Sequence, residues 1–427
     1  LLITILQNIY PIIHIFYLIM PTDIRSTLEP MELSFENTEN SFAYKTNKQL
    51  KMARFLFKTM ANPVLIHLGV RLSPLAIKLG LPVKGLMRKT IFQQFVGGES
   101  LLQTAAVVNE LDKYGVNVIL DYGVEGKQGE ENFDATAEAF IKVIDFASAK
   151  QSIPFVSVKV TGIARFGLLQ RLDEAPRIRS GVHDNEAESQ EWDRVVDRMY
   201  RICSAAAKKN VGVLIDAEET WIQDPVDRLT MDMMEEFNTD RVIVYNTIQL
   251  YRTDRLQFLK MSHKIAKQQN FMLGVKLVRG AYMEKERERA NAKKYQSPIQ
   301  PSKEATDSDY DAAIKYCIEN SKVIACIVAT HNEKSNLLTA DLLQQKGLSF
   351  NHKHVHFSQL YGMSDNITFN LAKQGFNVSK YLPFGPINDV IPYLMRRAQE
   401  NKSVSGQTTR ELNLIEKELK RRKEIEQ

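Results

Sequence analysis

From residue 116 onward the chain carries eight short apolar runs separated by longer amphipathic stretches. They are Val116–Asp121, Pro154–Val160, Val211–Asp216, Val242–Ile248, Phe271–Val278, Val323–Thr330, Val355–Phe357 and Tyr381–Phe384. A run of four to eight apolar residues bounded by polar breaks reads as a strand buried on both faces, and alternation with helical spacers makes those strands parallel. Eight such units point to an α/β chain folded as a parallel (βα)8 barrel of TIM type. A doubly wound sheet is the rival, but no GxGxxG motif opens one.

The barrel reading decides where to look for chemistry, because working side chains in such a fold stand at the carboxyl ends of the strands. Lys159 and Thr161 close the second run, Asp216 and Glu218 the third, and Gln249 and Tyr251 the fourth. Lys276, Arg279 and Tyr282 mark the fifth, Thr330-His331-Asn332 ends the sixth, and Tyr381 lies in the eighth. Each alone reads equally well as barrel filling or a helix cap; their recurrence at strand after strand favours a site. Past Gly385-Pro386 a helix carries Tyr393, Arg396, Arg397 and Glu400. Tyr393 with Arg396, and Arg397 with Glu400, are three apart and share faces. Two adjacent arginines suit a carboxylate ligand, and a solvated pair tied to Glu400 is the plain alternative.

The remainder of the chain is read as follows. Residues 1–30 form an apolar extension, with no charge before Asp23 and the first Met at Met20. A start of translation at Met20 or Met31 and a membrane anchor both fit that stretch, since about 20 apolar residues span a bilayer. Residues 31–112 form a helical segment, with Phe42, Leu50, Phe55, Leu56, Leu65, Leu68, Leu75, Leu79 and Leu86 at helical spacing and Pro63, Pro74 and Pro82 dividing it. The barrel spans 113–402, and 403–427 is a charged helix with Leu412, Ile415 and Leu419 on one face, suited to docking or to a membrane or partner contact. The charge-rich stretches 172–192 and 284–310 read as surface insertions or lids. The excess of 56 Lys+Arg over 51 Asp+Glu is too small for a nucleic-acid partner and fits mild attraction to an anionic surface. Three cysteines without paired spacing are expected to be free thiols in a reducing compartment. His352, His354 and His356 alternate, so in a strand they would share a face; a metal site is one reading and a strand edge the other.

In order along the chain stand Leu120-Asp121-Tyr-Gly-Val-Glu125, Val158-Lys159-Val-Thr161-Gly, Asp216-Ala-Glu-Glu219-Thr, Asn246-Thr-Ile-Gln249-Leu-Tyr251 and Lys276-Leu-Val-Arg-Gly-Ala-Tyr282. Ala329-Thr-His-Asn332, Gln359-Leu360-Tyr-Gly-Met363 and Tyr381-Leu-Pro-Phe-Gly with Arg396-Arg397 and Glu400-Asn401 complete the set. Over about residues 110–402 the chain resembles the proline dehydrogenase family, most closely its single-function branch that includes mitochondrial enzymes. The resemblance implies oxidation of L-proline to Δ1-pyrroline-5-carboxylate on non-covalent FAD, with electrons passed to a membrane quinone. It implies peripheral association with a cytoplasmic or, in a eukaryote, mitochondrial membrane, and a separate pyrroline-5-carboxylate dehydrogenase downstream.

Carried over by position, the resemblance gives Arg396 and Arg397 the substrate carboxylate, with Lys159 as a further cationic contact. Asp216, Leu360 and Tyr381 would line the proline ring, and Glu125 would close the pocket by an ion pair with one arginine. Gln249, Lys276, Val278, Gly280, Tyr282, Thr330, His331 and Glu400 match flavin-contacting positions. Lys276 departs from the bifunctional bacterial relatives, which have Arg there. Tyr381 leaves little room for a ring hydroxyl where the hydroxyproline-oxidising relatives have a small residue, so proline is expected to be preferred; hydroxyproline dehydrogenase on the same fold is the alternative. A base role for Asp216 and a flavin-less binding protein on an inherited barrel are the remaining readings.

Overall fold

The computed structural model describes residues 33–61, 85, 87–123, 128–174, 186–403 and 407–427, with backbone alone for 398–403 and 407. Eight parallel strands close into a barrel in chain order: β1 (Asn117–Tyr122), β2 (Phe155–Lys159), β3 (Gly212–Asp216), β4 (Val244–Gln249), β5 (Leu273–Val278), β6 (Ile324–Ala329), β7 (Val355–Leu360) and β8 (Val378–Phe384), with β8 paired to β1. Helices α1 (Thr38–Phe42), α2 (Asn47–Met60) and α3 (Leu101–Asp112) precede the barrel. Within it run α4 (Glu130–Ser148), α5 (Phe166–Glu174), α6 (Glu186–Lys209), α7 (Gln223–Phe237), α8 (Arg255–Gln269), α9 (Met283–Lys293), α10 (Lys303–Glu319), α11 (Glu333–Gln345) and α12 (Asp365–Lys373). Helices α13 (Ile387–Ser403) and α14 (Gln407–Ile425) follow β8. The eight apolar runs are therefore the eight strands.

Strand β8 begins earlier than its apolar run because Lys380 breaks the hydropathy signal. Its side chain nonetheless points outward and is wholly buried, paired with Asp365. Alternate residues of each strand serve two cores. Val118, Val156, Val213, Val275 and Val328 pack outward against the helices. Ile119, Phe155, Leu214, Tyr245 and Ile327 fill the barrel interior. Gly212 and Gly274 make room for the two rings there: a Cβ would lie 2.4 Å from the Phe155 ring at the first and 3.0 Å from Tyr245 at the second. The barrel floor is thus an apolar plug. Two residues further along, or four in β2, the inward positions become Asp121, Lys159, Asp216 and Lys276, so the same period places charge directly above the plug.

A second core joins the two ends of the chain beside the barrel mouth. Leu50 and Phe57 of α2, Phe95, Met363, Val390 and Tyr393, and Leu414 and Ile415 of α14 pack together. Helix α2 starts with a reciprocal cap between Thr46 and Gln49, a device that stabilises by about 1 kcal/mol. Its buried stripe is Leu50, Ala53, Phe57 and Met60, which leaves Phe55 on the outer face at 60% exposure, contrary to its place in the expected apolar set. Leu65, Leu68, Leu75, Leu79 and Leu86, like residues 1–30, lie outside the described residues. Arg422 of α14 ties the ends further, donating to the carbonyls of Phe42 and Lys45, each at 2.8 Å.

Other expectations change. The stretch 284–310 is mostly helix rather than loop, because Glu286, buried on α9, accepts from Thr220 N–H at 2.7 Å and from its hydroxyl at 2.6 Å. His352 and His354 precede β7, so the three histidines do not line one strand face: His354 Nδ1 meets Ser321 O and His356 Nε2 meets Ser379 Oγ, both at 2.6 Å. The three cysteines are free and buried. Among the described residues no helix is long and apolar enough to cross a membrane.

Gly362 lets the chain ahead of the barrel touch it. Its φ is +80°, and a Cβ there would lie 2.0 Å from the backbone oxygen of Gln94, whose amide donates to Gly362 O at 2.7 Å. Gly362→Ala is expected to lower unfolding free energy by about 2 kcal/mol or more, read from urea denaturation.

Candidate active site

The register of β2 and β3 sets Lys159 directly beside Asp216, and that of β7 and β8 sets Leu360 beside Tyr381. Inside the mouth these side chains form one network. Lys159 Nζ lies 3.0 Å from Asp121 Oδ1 and 3.0 Å from Asp216 Oδ2. Lys276 pairs with the other oxygen of Asp216. Tyr381 donates its hydroxyl to Asp216 Oδ2 at 2.7 Å, lies 3.0 Å from Ser157 Oγ, and receives the Lys276 ammonium 5.3 Å from its ring centre. Two ammonium and two carboxylate groups balance, so the buried layer is neutral in sum.

That balance has electrostatic consequences. Burial by itself would raise the Asp216 carboxyl, but Lys276 and Lys159 outweigh it and hold the group well below the usual carboxylate range. Burial pushes the Tyr381 phenol well up, and the carboxylates of Asp121 and Asp216 push it further, so it stays a proton donor. Asp121 and Ser157 received no role in the sequence reading. Asp121 stands at a strand end like the other polar residues, and Ser157 is one inward step below Lys159, so strand period was the available signal.

A second group occupies the ends of β4, β5 and β6. Gln249 is buried and donates through Nε2 to Glu218 O at 2.9 Å, while its Oε1 has no hydrogen-bond partner among the described residues. Glu218 accepts from Thr161 at 2.7 Å. Val278 is the register partner of Gln249. Gly280 has φ +133°, and a Cβ there would meet the Tyr251 ring at 2.5 Å. Arg279 is clamped by Asp307 at 2.7 Å and donates to Thr330 Oγ1 at 2.6 Å and Ser335 Oγ at 3.1 Å, its guanidinium 4.2 Å from the Tyr310 ring centre. It holds Thr330 in place, a role sequence reasoning did not assign. His331 Nδ1 lies 2.8 Å from Ser364 Oγ. Burial, then Lys380, Arg397 and Arg279, lower His331 to about 3, so its ring is neutral.

Helix α13 brings the arginines. Arg396 lies with its guanidinium carbon 6.0 Å from the ring centre of Tyr282, the residue that enters α9. Arg397, only 8% exposed, lies 5.2 Å from the Tyr393 ring centre. Tyr393 thus supports Arg397, four residues on. Glu125 and the side chain of Glu400 lie outside the described residues.

The family model for proline dehydrogenase matches residues 104–410. The chain is 37% identical over 371 residues to the carbapenem antibiotics biosynthesis protein CarD of Pectobacterium carotovorum, covering 86% of this chain and 94% of that protein. It is 31% identical to mitochondrial proline dehydrogenase 1 of Dictyostelium discoideum (81% of this chain, 67% of the relative) and 32% identical to hydroxyproline dehydrogenase of Xenopus laevis (79% and 78%). The fold is that of proline utilization A from Bdellovibrio bacteriovorus, with a TM-score of 0.65 at 20% identity, covering 90% of this chain and 41% of that one.

Removing the shared carboxylate tests the network. Asp216→Ala leaves Lys276 buried without its carboxylate and is expected to cost about 3–5 kcal/mol at pH 7 in urea unfolding. Because the native group titrates below its unfolded value, its stabilisation is complete above about pH 4 and fades as pH falls through the native value. The gap between wild type and variant should therefore narrow toward pH 2.

Proposed function

The chain belongs to the proline dehydrogenase family, and on that premise we propose that it oxidises L-proline to Δ1-pyrroline-5-carboxylate, with FAD as non-covalent cofactor and a membrane quinone as final acceptor. What supports this reading is the pair Arg396 and Arg397 on α13, lying against Tyr282 and Tyr393, together with a buried layer at the strand ends whose own charges cancel. Lys159 stands in that layer paired with Asp121 and Asp216, and Arg396 and Arg397 take the substrate carboxylate in this reading. The ring of the substrate lies between Leu360 and Tyr381, and Asp216 and Lys159 border it. Glu125 and Glu400 keep the proposed roles of closing the pocket and contacting the cofactor.

The residues present suit a flavin. The buried, unpartnered Oε1 of Gln249 is an acceptor awaiting an N–H donor, and it stands at the strand ends that also carry Lys276, Val278, Gly280 and Tyr282. Thr330 and His331 follow directly after β6. FAD would supply, when bound, the acceptor for the hydride leaving substrate C5 as the nitrogen lone pair closes the C5–N double bond, and the protonated imine gives up its proton to solvent after release. The protein's share is placement: the arginines orient the substrate, the apolar plug and the phenol of Tyr381 keep water out, and Lys276 holds positive charge beside the cofactor. Asp216 is a poor general base, because two lysines keep its proton affinity low. The substrate nitrogen therefore enters neutral, and the imine product passes to a separate dehydrogenase.

Hydroxyproline is the second substrate to test, since a relative carries that name. Tyr381 is held by two hydrogen bonds and a cation, which leaves it no freedom to turn aside for a ring hydroxyl. Anaerobic titration of the purified, FAD-loaded protein should bleach the flavin absorbance at much lower proline than hydroxyproline concentration. Tyr381→Ser should narrow that gap; a wild type that prefers hydroxyproline would move it to the other activity. Arg397→Met should raise KM for proline by about 100-fold with a smaller change in kcat, as steady-state kinetics would show.

A further inference from the structure

Outside the barrel mouth lies a second buried charge cluster, built from both ends of the chain. Lys380, on the outer face of β8, lies 2.9 Å from Asp365 and donates to Met363 O at 2.5 Å. Asp365, the first residue of α12, also meets Lys45 at 3.0 Å and accepts from the Tyr44 hydroxyl at 2.8 Å. Glu411 of α14 is the second carboxyl group of the cluster; it is buried, and its Oε1 accepts from the backbone N–H of Ser364. Ser364 sits at φ +49°, a left-handed conformation that a residue with a Cβ adopts at a cost of about 1–2 kcal/mol. From that turn its hydroxyl reaches His331 Nδ1 at 2.8 Å.

Docking α14 does not by itself require a carboxylate here. Its neighbours Leu414 and Ile415 already bury an apolar face, and burying Glu411 is unfavourable unless it is bonded. Burial, with Asp365 beside it, raises Glu411 to about 7 against the opposing pull of Lys380 and Lys45. What the carboxyl does achieve is to hold the strained Ser364 turn, and the turn holds the imidazole at the end of β6. We propose that Glu411 is a positioning residue for the cofactor site, fixing the His331 ring through Ser364 and thereby coupling the docking of α14 to FAD binding. This rests on the flavoprotein reading above.

The test uses the full chain with Glu411→Ala, Glu411→Gln and Ser364→Ala. FAD dissociation constants come from reconstitution of the flavin-free protein, and ring nitrogen shifts of His331 come from histidine-labelled, flavin-free samples. Glu411→Ala should weaken FAD binding by about tenfold, the worth of one such hydrogen bond, and shift the His331 nitrogens. Glu411→Gln keeps an acceptor for the Ser364 N–H and should restore both. Ser364→Ala leaves α14 untouched, so it should weaken FAD binding with α14 still docked, even where Glu411→Ala fails to fold. A lowered Tm with unchanged FAD affinity and unmoved His331 nitrogens would overturn the proposal and leave Glu411 a helix anchor only. A wild type that takes up no FAD would sink the flavoprotein reading instead, and the nitrogen shifts would still decide whether Glu411 positions the ring.

Discussion

The mouth of this barrel depends on one shared carboxylate. Asp216 binds Lys159 on one oxygen and Lys276 beside the other, and it accepts from Tyr381, so residues from four strands meet on one group. A buried ion is costly unless paired, and here each charge is the condition for burying the next. Asp121 completes the set by engaging Lys159. The layer is buried, polar and neutral in the sum of its paired charges.

Everything above that layer is arranged by support from elsewhere. Arg279 is held by Asp307 and by the Tyr310 ring, and it fixes Thr330. Arg397 rests against Tyr393, whose own ring belongs to the core shared by α2 and α14. Helices α2 and α14 are therefore not appendages: they form the wall against which α13 is packed. The cluster of Lys45, Asp365, Lys380 and Glu411 makes the same connection in charge rather than in apolar contact.

The barrel was legible because its strands are short apolar runs and its polar residues collect at their ends. Lys159, Asp216, Lys276 and Tyr381 could each be picked out on that ground, and the structure joins them in one network. Asp121 and Ser157 follow the same strand period and were passed over. The spacing put Tyr393 on a face with Arg396, and packing also brings it against Arg397, since residues three and four apart are both neighbours. Ser364 and Glu411 left no trace, being an ordinary loop serine and one glutamate in a charged helix.

The sequence by itself determined the number of strands, their parallel sense and the end of the barrel where polar groups gather, because hydrophobic period and strand polarity are local properties. It also determined that two arginines would lie past the eighth strand. Only the tertiary structure decided which charge neutralises which, that Lys380 faces outward yet is buried, and that α14 reaches His331 through Ser364. Those are contacts between residues far apart in the chain. Pairing among buried charges is set by distance in space, which no local pattern encodes.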